Sequence, residues 1–449
     1  MVNTLFLPEL REMLADGDAA QLREFCTALH PARTAEFMEG LETSEAWKVL
    51  QFAPSNLRAE IFGFFEHDRQ IQMLELEEDR QVAELVTNIP ADDAVDLLGE
   101  LPDERVELLL ALVPAPDRRD IRRLQTFAEG TAGAIMTTEA ACLDERLTVR
   151  QALDKLSQQA EKLETIYYIY VVDDTNRLRG VVSTRRLVSS FGKLDRPLSE
   201  LMNSDVVTVN ANDDQKSVTQ KVAKYDLLAI PVVDAQRHML GIITHDDVID
   251  VVIEEAAEDV QRIAGVDPLE DSYMRTPILT LTWKRGLWLG ILSFAGLSTA
   301  LALRHYQPEL DAFEWMVWFI PLVIGSGGNA GSQSSTLIIA AMATGDVRVE
   351  DWMKIVWREL VTGVLLGAYL GVLVMIPAMT LAPTVWAALV VPITILFVVI
   401  CGTFSGSILP IIFRRLGLQP AIMSNPFVAG INDILGIVVY VNIAHLMLE

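Results

Sequence analysis

The sequence predicts a multidomain protein of mixed class: an α-helical superhelix, a duplicated α/β module, an amphipathic connector helix and a membrane domain of five helices. Three observations predict it. Charge is concentrated at the front, where residues 1–270 hold 51 of the 61 acids and 27 of the 36 bases, a net charge of −24, against −1 for residues 271–449. Five long apolar segments follow Asp271. Residues 131–250 repeat part of their own sequence at a spacing of 61 residues. So acidic a front excludes nucleic acid as a partner, since phosphate binding needs a basic patch. An excess of carboxylates suits cations, or serves solvation alone.

The first element is residues 1–130, rich in Leu, Glu, Ala and Arg and without strand alternation. Pro90, Pro102 and Pro114 recur every twelve residues, each followed by a polar helix start and an apolar run. Proline is well tolerated in a first helical turn, so the pattern predicts short antiparallel helices stacked as a superhelix. The opening residues, Met1 to Glu9, lack a charged stretch followed by a long apolar core and do not read as a signal peptide. Cys26, Cys142 and Cys401 are scattered, giving neither a disulfide framework nor zinc spacing, which fits a reduced cytosolic face.

The second element is residues 131–245. Tyr170-Val171-Val172-Asp173 recurs as Pro231-Val232-Val233-Asp234, and Gly180-Val181-Val182-Ser183 as Gly241-Ile242-Ile243-Thr244. Upstream, Ile135-Met136-Thr137 recurs as Leu201-Met202-Asn203 at 66 residues, so the first copy carries about five extra residues, near Gln158–Ile166. Each copy reads strand, helix, strand, turn, strand, helix. The pair resembles a tandem CBS (Bateman) module. That resemblance implies a site for ATP or another adenine nucleotide, with Thr244 and Asp247 contacting ribose. The first copy ends Ser183-Thr184-Arg185-Arg186 and has no acid at the matching place. An ordinary dimerising scaffold is the alternative.

The third element, residues 246–270, holds nine acids against one base, Arg262. Asp247, Asp250, Glu254, Glu255, Glu258 and Asp259 fall at helical spacing, and Val248, Val251, Val252, Ala256, Val260 and Ile263 supply an apolar stripe. This predicts one acidic amphipathic helix whose like charges oppose its own stability by some tenths of a kcal/mol per pair.

The fourth element is the membrane domain, 271–449, with apolar segments at roughly 286–303, 315–343, 360–381, 385–413 and 427–447, each long enough for a bilayer core of about 30 Å. Lys284 and Arg285 precede the first segment; Arg348, Lys354 and Arg358 separate the second from the third; Arg414 and Arg415 follow the fourth. Only Arg304 lies on the other side. The positive-inside rule then places residues 1–270 in the cytoplasm and the C-terminus outside a plasma (inner) membrane. The second segment is polar at mid-depth, from Pro321 through Gly327-Gly328-Asn329 and Gly331-Ser332-Gln333 to Thr336. It reads as a helix-packing seam or as the wall of a water-filled pathway. The last segment opens with Ser424-Asn425-Pro426, a helix break or start. It carries Asp433, whose carboxylate costs about 2.5–3.5 kcal/mol at the centre of a membrane helix. Such residues usually face a bundle interior or a wet route.

The order of helical acidic domain, CBS pair, acidic helix and five segments resembles the MgtE family of magnesium channels over essentially the whole chain. The resemblance implies a non-enzymatic homodimer in the bilayer with a pore on its two-fold axis. Asp433 would hold Mg2+ there, and Ala429, Asn432, Gly328, Asn329 and Gln333 would line the pore. Here Gly331-Ser332-Gln333 stands where the family commonly has Gly-Asn-Gln. The resemblance also implies closure by cytosolic Mg2+ on Glu60, Asp92, Asp93, Asp96, Asp214, Asp226, Asp247, Asp250, Glu255, Glu258 and Asp259. Asp92 and Asp93 remain open alternatives for one ligand, and Lys216 is a cation near that patch. A carrier coupling divalent cations to Na+ or H+, and a nucleotide receptor without transport, are the competing readings.

Overall fold

The computed structural model describes residues 6–160, 163–269, 273–418 and 425–448, and it divides into two compact units, Met1–Ile253 and Glu254–Glu449. Ser424, and Glu270 and Asp271 at the expected junction of connector and membrane domain, lie outside the described residues.

Among the described residues the first unit opens with ten helices, α1 (Leu7–Asp16) to α10 (Ala115–Leu124), each of 8–10 residues. Helices this short are marginal in isolation. They persist here because α3 (Pro31–Met38) packs on α5 (Ser55–Gly63), α5 on α7 (Asp79–Val86), and α7 on α9 (Asp103–Leu112), a stack around one core that includes Leu22, Trp47, Phe62 and Leu98. Pro90, Pro102 and Pro114 each stand one residue ahead of a helix, in extended backbone with ψ between 135° and 147°. Arginine tips satisfy carbonyls that helix ends leave unpaired. Arg58 Nε donates to Leu50 O (3.2 Å), and Arg105 reaches Glu75 O (2.7 Å) and Glu77 O (2.8 Å).

The duplication folds as two three-stranded sheets. β1 (Ala140–Asp144) pairs parallel with β2 (Thr165–Val172), which pairs antiparallel with β3 (Leu178–Ser183); β4 (Val209–Asn210), β5 (Ala229–Val233) and β6 (Met239–Thr244) repeat this order. α11 (Val149–Gln159) and α14 (Gln215–Tyr225) are the matched crossover helices, with the short α12 (Thr184–Ser189) and α13 (Leu198–Leu201) between them along the chain. The opening segments are exchanged between copies: Thr137 pairs with Ile242 of the second sheet, and Asn203 with Val181 of the first. This explains the repeated glycine. A Cβ on Gly180 would lie 2.8 Å from Asn203 O, and one on Gly241 would collide with Thr137 O. The repeated aspartates are turn residues: Asp173 Oδ1 accepts from Thr175 N (2.9 Å) and Arg177 N (3.0 Å), and Asp234 Oδ1 from Gln236 N (2.9 Å) and His238 N (2.7 Å).

The boundary between units falls inside α15 (His245–Ile263), the acidic helix the sequence predicts. The second unit contains α16 (Ile278–His305), the short α17 (Gln307–Ala312), α18 (Ile320–Ala343), α19 (Trp352–Leu381), α20 (Val385–Arg415) and α21 (Asn425–Leu448). Among the described residues, four of these helices are long and apolar enough to cross a membrane: α16, α19, α20 and α21. The fifth expected span, α18, has the length at 24 residues, but its glycines, serines, Asn329 and Gln333 lower its hydropathy. α20 is the central helix, packed on α18, α19 and α21, whereas α16 has no buried residue.

Candidate cation sites

In the membrane unit the site is built where α18 meets α21. Asp433 lies eight residues after Asn425, about 12 Å along α21. A Cβ on Gly328 would sit 3.4 Å from Ala429 Cβ and 3.6 Å from Asp433 Oδ1. Gly328, Ala429 and Asp433, three of the expected pore residues, are therefore one contact. Asn329 and Gln333 lie four residues apart on α18 and both are exposed, one polar stripe along that helix. Asn432 is 1% exposed: its Nδ2 donates to Val428 O (2.9 Å) and its Oδ1 accepts from Ser405 Oγ (2.9 Å) on α20. Its amide thus ties α21 to α20.

Several other small polar groups of α18 make ties, though Ser326 Oγ bonds only to Leu322 O of its own helix (2.7 Å) and Ser335 Oγ is buried without a partner. Ser332 Oγ donates to Asn425 O and Thr336 Oγ1 to Asn425 Oδ1, both at 3.1 Å, fixing the start of α21. Ser334 Oγ donates to Glu359 Oε2 on α19. One face of this helix therefore makes the packing ties, and another carries the exposed Asn329 and Gln333.

In the first unit the acids gather around a cavity of about 850 Å³. Glu60 comes from α5, Asp93 and Asp96 from α8 (Ala91–Gly99), Asp246, Asp247 and Asp250 from the start of α15, and Glu164 from the segment leading into β2. No lysine or arginine is among the described lining residues; His30 and His67 are the basic-capable groups. Asp92 lies behind this lining, 7% exposed, and its Oδ1 has no hydrogen-bond partner.

Like charges in little water hold protons. Burial first, then Asp93 and Asp247, push the Asp92 carboxyl well above its usual range. The Asp93 tip stays open to the cavity, yet loss of bulk water and the fields of Asp247, Asp96, Asp246 and Asp250 raise it to about 6. Glu164 rises to about 7 through desolvation, then Asp247, Glu139, Asp246 and Asp93. Asp247 and Asp250 are also raised, by desolvation before neighbouring carboxylates. Among the described residues, no three His, Cys, Asp or Glu side chains converge closely enough to enclose an ion directly. The arrangement fits a hydrated divalent cation, because Mg2+ keeps several of its waters when it binds carboxylates.

The remaining expected ligands stand elsewhere. Asp214 caps α14, its side chain accepting from Lys216 N (2.8 Å), and Asp226 closes the same helix in left-handed backbone at φ 53°. Opposite ends of an eleven-residue helix are about 16 Å apart, so these two cannot share an ion. Glu255, Glu258 and Asp259 lie on the later turns of α15, where Glu258 pairs with Arg262 at 2.8 Å. The proposed ribose contacts bond one another: Thr244 Oγ1 donates to Asp247 Oδ2 at 2.5 Å and Thr244 N at 3.1 Å, an ordinary helix-start arrangement. Glu164 and Asp246 were missed by the sequence reading. The extra residues near Gln158–Ile166 were the one signal that pointed toward Glu164.

A magnesium transporter of Thermus thermophilus, MgtE, is 33% identical over 448 residues, 98% of either chain. The chain belongs to the MgtE family. An MgtE magnesium transporter of Enterococcus faecalis is likewise 33% identical, over 98% of this chain and 96% of its own. Family models match in the corresponding order: the MgtE intracellular N domain over residues 29–130, CBS domains over 132–193 and 198–254, and the MgtE divalent cation transporter domain over 320–443. The soluble part of a magnesium transporter superposes with a TM-score of 0.53 at 35% identity, covering 56% of this chain and 98% of that one. The cytosolic domain of the Mg2+ channel MgtE in complex with ATP gives 0.50 at 33%, covering 54% and 98%. MgtE relatives are magnesium transporters rather than enzymes, and the CBS resemblance and the apolar helices of this chain accord with that family.

Proposed function

We propose that the chain is a Mg2+ channel, working as a homodimer in the plasma membrane, that cytosolic Mg2+ closes. The observation that carries this reading is Asp433, a carboxylate set against Gly328 where the polar helix α18 meets α21. α18 is the fifth span in this reading, tolerated in lipid because its polar stripe of Asn329 and Gln333 faces water rather than hydrocarbon. One carboxylate per subunit with a retained water shell suits Mg2+, which sheds water reluctantly. Ala429 shapes the wall at that level, and Asn432 holds the helix that presents Asp433. Inward movement of a divalent cation across 100 mV releases about 4.6 kcal/mol, twice the single-charge value, so no ATPase is required.

Topology in this reading follows the basic residues: the acidic unit is cytoplasmic and the C-terminus outside. When Mg2+ is scarce, carboxylates of the cavity repel and the unit loosens; when it is plentiful, hydrated ions bridge Glu60, Asp93, Asp96, Asp247 and Asp250 with Asp92 behind them. Glu255, Glu258 and Asp259 act further along α15, and Asp214 and Asp226 act at the ends of α14. ATP binding, named for the related cytosolic domain, is proposed here for the CBS pair near Thr244. The test is Mg2+ uptake by cells or vesicles carrying Asp433→Ala. The expected result is loss of uptake with assembly intact; normal uptake would overturn the pore assignment.

A further inference from the structure

Asp433 takes its direction from the residue before it. Successive residues of a helix point about 100° apart, so α21 presents Asp433 to Gly328 while Asn432 points into the bundle. Three helices close around that amide. α18 and α20 approach backbone to backbone: a Cβ on Gly402 would lie 2.5 Å from Gly327 O, and one on Gly406 would collide with Gly331 O. A Cβ on Gly331 would collide with Asn432 Nδ2, so the amide fills the space this glycine leaves.

Ser405, buried on α20, supplies the remaining contact. Its one hydroxyl proton has two acceptors in reach, Asn432 Oδ1 at 2.9 Å and Gly402 O at 3.0 Å. Gly402 O lies in mid-helix, where the N–H four residues on already serves it. Among the described residues, no other donor reaches Asn432 Oδ1. A buried acceptor left unpaired costs about 1–3 kcal/mol, so the proton belongs to Asn432. The amide is also fixed against reversal, because Nδ2 donates to Val428 O (2.9 Å) and a reversed amide would set oxygen against oxygen there.

We propose that Ser405 is a positioning residue for Mg2+ in the pore: acting through Asn432, it fixes the rotation of α21 and hence the direction in which Asp433 meets the hydrated ion. The inference rests on the reading of Asp433 as the pore carboxylate, and it brings in a helix to which that reading gave no part. Mg2+ demands near-ideal octahedral geometry and keeps its waters, so a carboxylate that swings loses affinity before it loses charge.

The test is Mg2+ flux through the full-length protein in proteoliposomes, titrated from the side away from the acidic unit, with the acidic side free of Mg2+. Ser405→Ala is expected to raise the half-saturating Mg2+ roughly tenfold, the loss typical of groups that orient a metal ligand, and to keep maximal flux. Ser405→Thr, which keeps the hydroxyl, is expected to restore the wild-type value. Ser407→Ala is the control, expected to shift nothing: that hydroxyl is also buried on α20 but bonds Phe404 O of its own helix (2.9 Å). An unchanged half-saturating value in Ser405→Ala, or a fall in maximal flux alone, overturns the assignment. So does an equal shift in Ser407→Ala or in Ser405→Thr. Where Ser405→Ala does not assemble, Ser405→Ala combined with Asn432→Leu removes donor and acceptor together and takes its place, with the same shift expected and the same results against it. If Asp433→Ala transports like wild type, the pore reading falls and this assignment with it. If Asp433→Ala is silent while Ser405→Ala is unshifted, this assignment falls alone.

Discussion

The two candidate cation sites of this chain are built on opposite principles. In the membrane unit one carboxylate, Asp433, stands against a glycine and a short polar stripe, with its neighbour Asn432 bonded into the bundle. In the first unit seven acidic side chains line one cavity without lysine or arginine among the described lining residues. A single carboxylate holds a hydrated ion weakly enough to release it, as conduction requires. A crowded set repels itself until an ion arrives, so its shape depends on ion concentration. On the proposed function, charge scarcity passes the ion and charge excess counts it.

The largest effect that would break this contrast is at Asp433. Asp433→Asn should reduce Mg2+ flux to background while leaving protease protection of the first unit by Mg2+ intact; parallel loss of both would mean that the sites do not act separately. Next, Asp93→Asn should leave maximal flux at low Mg2+ unchanged but raise the Mg2+ concentration needed for closure about tenfold, measured as uptake against internal Mg2+. Unaltered closure would place sensing outside this cavity.

A third effect concerns protons. Asp93 at about 6 and Glu164 at about 7 lie above their unfolded values of about 3.9 and 4.3. The folded state therefore binds more protons between those limits. Stability is fully present below the unfolded values and is lost as pH rises through the folded ones. In EDTA, the melting temperature of the full-length protein should fall from pH 5 to pH 8, and Mg2+ should flatten the fall. A rise over that range would contradict the like-charge account. The smallest effect is a control: Asp173→Ala removes the two amide bonds of a turn and should cost about 1 kcal/mol in thermal unfolding without changing flux or closure.

Much of this was legible in the sequence because it rests on local rules. Helix-start prolines, two repeated strand patterns and four strongly apolar runs each state their own structure. The rest depends on what meets across the fold. The repeated Gly180 and Gly241 mark a duplication, but only the exchanged openings explain them. Asp92 and Asp93 are indistinguishable as letters; in the structure Asp93 lines the cavity and Asp92 is buried behind it with an unsatisfied oxygen. Asp214 and Asp226 belong by charge to the acidic set, yet helix-end geometry sets their surroundings. The polarity of α18 left a packing seam and a pathway both open, and three of its five hydroxyls proved to be ties to Asn425 and Glu359. Glu164 was hidden because only the fold brings it to a cavity shared with Asp93 and Asp247.

The most direct test of the central claim is Mg2+ current through the purified full-length protein in a planar bilayer, with Mg2+ on the acidic side raised from micromolar through millimolar levels. The account predicts a current that is present at low Mg2+ and falls as the acidic side fills. No current, or one indifferent to that concentration, would contradict it.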